Sequence, residues 1–217
     1  MKRFLIAAVA FAVIIGLGPA SGAQGAPPKA QLPVLTTSAG QSNDVNTVNA
    51  VLEEAEIKYD YCDVPTVEML EAGVGLGDKQ SGEGFHVEST TDTAKFPKGT
   101  AFKTIIIAIG ASLKGMGASG LTVDTEEARV KKIIDACKKK KIIIIAVHPG
   151  GAAARGPAGS DNERMIDAVA PFADAIVITK DSNKDGRFTK IAEKTKASLT
   201  QVDYALGMVE VLKKVFL

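Results

Sequence analysis

Tryptophan is absent and tyrosine occurs only three times in 217 residues, so the aromatic platforms on which sugars and planar ligands stack are scarce. Histidine and cysteine are equally thin. His86, His148, Cys62 and Cys137 are too few and too scattered for any zinc site to follow from spacing, and neither a metal nor a cofactor is expected. Charge of one sign is also lacking. Without Lys2 and Arg3 the chain holds 24 basic and 25 acidic residues, which gives no electrostatic footprint for nucleic acid.

The one long apolar run, Phe4 to Leu17, follows Lys2 and Arg3 and ends at Pro19 ahead of the small residues Ser21, Gly22 and Ala23. That order is a secretory leader over residues 1–23, cleaved after Ala23. The run is shorter than the roughly 20 residues that span a bilayer, so no membrane span is expected after cleavage. No cysteine follows it to accept a lipid. The expected product is exported to the periplasm or the extracellular space, with a linker over 24–31 and a single domain over 32–217. Disulfides are permitted there, but Cys62 at a strand end and Cys137 on the inner face of a helix read better as two separately buried thiols.

Apolar, β-rich runs alternate with segments of helical period along the rest of the chain, the pattern of βα units. Strands are expected at Leu32 to Thr36, Lys58 to Cys62, Thr104 to Ile109, Ile142 to Val147 and Ala175 to Thr179, with room for a short sixth at Ser198 to Val202. The two isoleucine-rich runs are continuously apolar and belong at the middle of the sheet. The expected fold is therefore α/β: a three-layer, doubly wound parallel sheet, flavodoxin-like or Rossmann-like, of about five strands in the order 2-1-3-4-5. Asp124 with Glu127, and Ser160 with Glu163, have the spacing of capping boxes at helix starts. An insert at 73–101, rich in glycine and carrying His86, breaks the rhythm.

Open parallel sheets bind ligands beyond the carboxyl ends of their strands. The loops reaching that edge are Thr36 to Ser42 and Gly110 to Gly120, where Ser38, Gly40, Gln41, Ser42, Gly110, Ser112, Lys114 and Gly115 are candidate ligand-binding residues. Both loops run into helix N-termini, where free N–H groups favour an anion. The loop from His148 to Ser160 brings His148, Arg155 and Ser160 to the same edge, and Asn183 follows the fifth strand. Asp181 to Gly186 matches the first half of a calcium loop, but Ala192 stands where the bidentate carboxylate belongs, so it reads as a turn. Lys138 to Lys141 close a helix, a favourable place for cations. Gly115 to Gly120 is a literal G-x-G-x-x-G too far from its strand for a dinucleotide.

These features make an exported binding protein for a small anionic solute the leading expectation, with a membrane or cell-wall protein as a candidate partner. The alternatives are an extracytoplasmic hydrolase using His148 with Ser38 or Ser112, whose catalytic set is otherwise unknown, and a non-catalytic protein-interaction scaffold. The strings Leu32-Pro-Val-Leu-Thr-Thr-Ser-Ala-Gly-Gln-Ser42, Gly110-Ala-Ser-Leu-Lys-Gly115, His148-Pro-Gly-Gly151 and Asn183-Lys-Asp-Gly-Arg-Phe188 together resemble an uncharacterised family of exported bacterial α/β proteins, a domain of unknown function. The resemblance implies the domain limits and export, and no catalytic role.

Overall fold

The computed structural model describes residues 25–82 and 84–217. The leader expected over 1–23 lies outside the described residues. Among the described residues, seven strands form one sheet: β1 (Val34–Ala39), β2 (Tyr59–Cys62), β3 (Val87–Ser89), β4 (Thr104–Ile109), β5 (Ile143–His148), β6 (Ala175–Thr179) and β7 (Ser198–Val202). Their order is β3-β2-β1-β4-β5-β6-β7. All neighbours are parallel except β2 and β3. The sheet is thus wider than the five expected strands. The extra edge strand comes from the insert, where Val87 to Ser89 lie antiparallel to β2 and cover an edge whose unpaired backbone groups would otherwise be open to other chains.

Among the described residues, seven α-helices accompany the strands: α1 (Asp44–Glu54), α2 (Val67–Ala72), α3 (Leu113–Ala118), α4 (Val123–Lys140), α5 (Asp161–Val169), α6 (Arg187–Thr195) and, after the last strand, α7 (Met208–Phe216). The strand period of two divides the core into two layers. Ile105, Ile107, Ile144, Ile176 and Ile178 pack under α2, α4, α5 and α6, through residues such as Leu70, Ile133, Ile166 and Phe188. Ile106, Ala108, Ile145 and Val177 face the opposite way, under Val48 and Leu52 of α1 and Val209 and Leu212 of α7. Strands covered on both faces must be apolar throughout, which the isoleucine runs satisfy.

Three local expectations are corrected. β1 runs on to Ala39 through the hydroxyl residues Thr36, Thr37 and Ser38, all buried. Strand pairing with β4 over its whole length overrides the polarity of those side chains. The capping box of α4 uses Thr122 and Thr125 reciprocally, which leaves Asp124 and Glu127 to hold Arg164 of α5 at 2.6 Å each. The residues expected as a linker are pinned to the domain: Ala30 donates its N–H to the Val215 carbonyl at 2.8 Å and Gln31 to the Thr104 hydroxyl at 3.0 Å.

Candidate functional site

The two loops that flank the reversal of strand order, after β1 and β4, close on each other. Gly110 N–H donates to the Ala39 carbonyl at 3.1 Å, Ser112 N–H to the Gly40 carbonyl at 2.7 Å, and Gln41 bridges to Ala111. Glycine is required at two of these contacts. Gly40 has φ +98° and its α-carbon faces the Gly110 carbonyl, while Gly115 faces the Gln41 carbonyl; a β-carbon at either would collide with backbone. Ser112 spends its hydroxyl capping α3, accepting from Gly115 N–H at 3.0 Å. Ser42 donates to Asp44 at 2.9 Å.

Asp44, at the start of α1, lies against both Gly110 and Gly150. The helix terminus expected to receive an anion thus carries a carboxylate of its own. The same holds across this edge: Glu68 sits in the first turn of α2, Asp124 and Glu126 in that of α4, and Asp161 and Glu163 in that of α5. Each favours the positive end of its helix, so these termini already hold carboxylates of the chain's own. Lys114 stands exposed beside them.

The third loop is bolted down. Arg155, expected to be open to a ligand carboxylate, donates to Glu163 at 2.6 and 3.1 Å, to Asp185 at 2.7 and 3.1 Å, and to the Ser182 carbonyl. Glu163 also takes Gly156 N–H at 3.1 Å and Arg187 at 3.0 Å. Burial alone would raise Glu163, but the Arg155 and Gly156 hydrogen bonds and the nearby charge of Arg187 hold its carboxyl below the usual range. Asp185 is pushed down to about 2 by its hydrogen bonds from Arg155. Ser160 begins α5 without capping it, its hydroxyl buried and without a partner among the described residues, and Glu163 turns to Arg155. Asn183 caps α6 by accepting from Phe188 N–H at 2.9 Å and donates to Thr189 and Gln201.

His148 is fully buried, its ring 5.4 Å from that of Phe188. Its Nε2 lies 3.1 Å from the Ala154 carbonyl, which can only accept, so Nε2 carries the proton and Nδ1 accepts from Ser182 at 2.7 Å. Burial holds its pKa below the ordinary value. Its hydrogen bonds go to Ser182 and Ala154 and to neither Ser38 nor Ser112, so the structure does not assemble the expected nucleophile and base. The other histidine, His86, does meet a serine and an acid, Ser81 at 3.0 Å and Glu88 at 2.7 Å. Ser81 is also clamped to both the N–H and the carbonyl of Val87, and the group is exposed, the arrangement of a hairpin staple. Cys62 and Cys137 are buried, unpaired and pushed up to about 12 by burial.

The polar cluster that sequence reasoning missed is Glu126 and Arg129. Glu126 is fully buried and accepts from Gly40 N–H at 2.8 Å, from Gln41 at 3.1 Å, and from Arg129 at 2.7 and 2.8 Å. Arg129 further donates to the Ser38 carbonyl at 2.6 Å. Its remaining terminal nitrogen, Nη1, is buried and has no hydrogen-bond partner among the described residues. The signal was there to read: Glu126, Val130, Ile133, Ile134 and Cys137 share one helical stripe, and a carboxylate on an apolar stripe needs a partner. Arg129 borders a groove of about 520 Å³ between α2 and α4, with Val64, Pro65 and Val67 on one wall, Leu121, Ala128 and Ile133 on the other, and Glu68 and Lys132 at its rim.

Residues 31–216 match the model of DUF6305, a domain of unknown function. The chain belongs to that family. No curated protein and no solved structure matches it. The match takes in the whole sheet, both interlocked loops and the groove.

Proposed function

We propose that this member of the DUF6305 family is a binding protein for a small anionic solute, exported and freed of its leader, and that the solute sits in the groove between α2 and α4. The observation that carries the reading is Arg129. A buried guanidinium nitrogen without an acceptor costs free energy, and a ligand oxygen placed beside it would complete the set that Glu126 and Ser38 begin. The groove has the size usual for small-molecule sites, and its walls are mostly apolar with few polar groups. Lys132 at the rim faces Glu68, so the preference for a carboxylate on an apolar body rests on the Arg129 donor and the apolar walls. The solute site therefore belongs on the flank of the sheet, beside the loop that leaves β2, while the loops at the reversal of strand order hold one another.

Thermal shift with hexanoate, hexanamide and hexylamine tests the charge and the place together. A ligand that binds only the folded state at 100 times its dissociation constant stabilises it by about 2.7 kcal/mol, roughly 5–11 °C for a domain of this size. Hexanoate is expected to raise the melting temperature and the other two to fall well short. Ala128→Trp, which fills the groove from an exposed position on α4, should abolish the response. Equal shifts from the amide or amine, or an unchanged response in Ala128→Trp, would refute the proposal.

A further inference from the structure

The insert that supplies β3 folds back on itself through Ser81, His86 and Glu88. Ser81 Oγ lies 3.0 Å from His86 Nδ1 and 3.1 Å from the Val87 carbonyl, and it accepts the Val87 N–H at 2.9 Å. His86 Nε2 lies 2.7 Å from a Glu88 carboxylate oxygen. The Val87 amide brings its own hydrogen. The other three contacts each need one: Nδ1 to Oγ, Oγ to the carbonyl, and Nε2 to the carboxylate. A neutral imidazole and a serine hydroxyl supply two hydrogens between them, whereas an imidazolium and the hydroxyl supply three. With the neutral proton on Nε2, the hydroxyl must choose between Nδ1 and the carbonyl. With it on Nδ1, the Nε2 lone pair faces the Glu88 carboxylate. We infer that the segment 81–88 is a proton-operated latch, complete when His86 is charged and one hydrogen bond short when the ring is neutral.

The groups around the ring suit a cation. Glu88 reaches it from β3. From the loop after β2, Asp63 accepts the His86 N–H through Oδ1 at 2.7 Å and returns its own N–H to the His86 carbonyl at 3.2 Å. Among the described residues no lysine or arginine pairs with either carboxylate, so His86 has no competing cation. Tyr61 of β2 meets the ring edge-on at 5.9 Å and stays neutral where histidine titrates, because burial pushes its hydroxyl far above the usual value. The imidazole is half exposed, so protons reach it from solvent without any opening of the fold.

The latch sets the edge of the sheet. Val87 and Glu88 are latch partners and also two of the three rungs that β3 makes with β2, opposite Cys62 and Tyr61. Asp63 carries the connection inward: its Oδ1 also accepts Val64 N–H at 2.8 Å, and its carbonyl accepts from Thr37 at 3.2 Å and Gln41 at 3.0 Å. A strand this short, held mainly by its partners, responds to the loss of one of them. Histidine changes charge between roughly pH 5 and 8. The charged ring makes the larger set of contacts, so the hairpin is tightest at the acid end of that range and loosens as pH rises through it.

Amide exchange by NMR on nitrogen-15-labelled protein, corrected for the intrinsic pH dependence of exchange, tests the latch between about pH 5 and 8. Protection of the Val87 amide should fall about fivefold across the range, the change expected for one hydrogen bond, while that of Ile106 in the buried β4 stays constant. Long-range proton–nitrogen spectra of the ring follow the proton itself, and the two curves should share one midpoint. In His86→Gln, which cannot take up a proton, the Val87 amide should be equally protected at both ends of the range. Constant protection of Val87 while the ring titrates, or an undiminished pH response in His86→Gln, would overturn the inference. So would a response shared by Ile106, which would place the effect of pH on the whole domain. The outcome does not depend on whether the groove binds a solute.

Discussion

Glu163→Ala should cost this domain more than any comparable single change to a surface acid. Its carboxylate is 1% exposed and accepts from Arg155 twice, from Gly156 N–H and from Arg187. Removing it leaves two guanidinium groups, 12% and 27% exposed, without their shared counter-charge. Breaking a buried pair on one side costs about 3–5 kcal/mol. Arg155 keeps Asp185 and the Ser182 carbonyl, which places the expected loss at the low end, about 3 kcal/mol. For a domain of this size that is roughly 6–12 °C in melting temperature. Urea titration followed by circular dichroism gives the free energy directly. Asp185→Asn removes a carboxylate that is 55% exposed and should cost about 1 kcal/mol or less. Arg155→Met with Glu163→Met, which removes both charges, should lose less than Glu163→Ala alone. A loss below about 1 kcal/mol for Glu163→Ala would mean that the cluster is solvated in solution and does not hold the loop.

Two further outcomes follow from burial. His148 titrates lower in the folded chain than the ordinary value near 6.5, so below that pH the unfolded state binds the extra proton; stability should fall with a slope of up to about 1.4 kcal/mol per pH unit, and His148→Gln should flatten that limb in denaturant titrations between pH 5 and 7. Cys62 and Cys137, buried with thiols near pKa 12, should not react with Ellman's reagent in the native state at pH 8, and two thiols should appear in guanidinium; a native titre of one or more would contradict the burial.

The strands and the buried helix stripes were legible because their signals are local. Thr104 to Ile109 and Ala175 to Thr179 stand where the apolar runs put them, and Val45, Val48, Val51 and Leu52 are the buried face of α1. What escaped depends on tertiary partners. β3 is three residues long and only partly buried, so it exists through its pairing with β2 and has no pattern of its own. The loops around Gly40 and Gly110 were readable as tight turns near the carboxyl edge; that they close on one another depends on carbonyls from two loops meeting. Glu126 and Arg129, only three residues apart, resemble an ordinary solvated helix pair, and the contacts that set them apart, to Gly40 N–H and the Ser38 carbonyl, come from more than 80 residues away in the chain.

The charge distribution bears on the expectation of an anion at the carboxyl edge. A formal net charge near zero suggests no electrostatic preference, yet acids stand in the first turns of α1, α2, α4, α5 and α7, while lysines close α4, α6 and α7 and Glu53 and Glu54 close α1. Reading the carboxyl edge as an anion site counts the helix dipoles and omits the carboxylates, Asp44, Glu68, Asp124, Glu126, Asp161 and Glu163, that already answer them. The arginines of the domain have been drawn into the same edge. Arg129, Arg155, Arg164 and Arg187 each face a carboxylate, as suits a planar fork with several fixed donors. Arginine here works inside the structure; among the described residues Arg129 and Arg187 each keep a buried guanidinium nitrogen without a partner, and Arg129 lines the groove between α2 and α4. The ligand oxygen proposed for the groove would answer the Arg129 donor on the flank of the sheet.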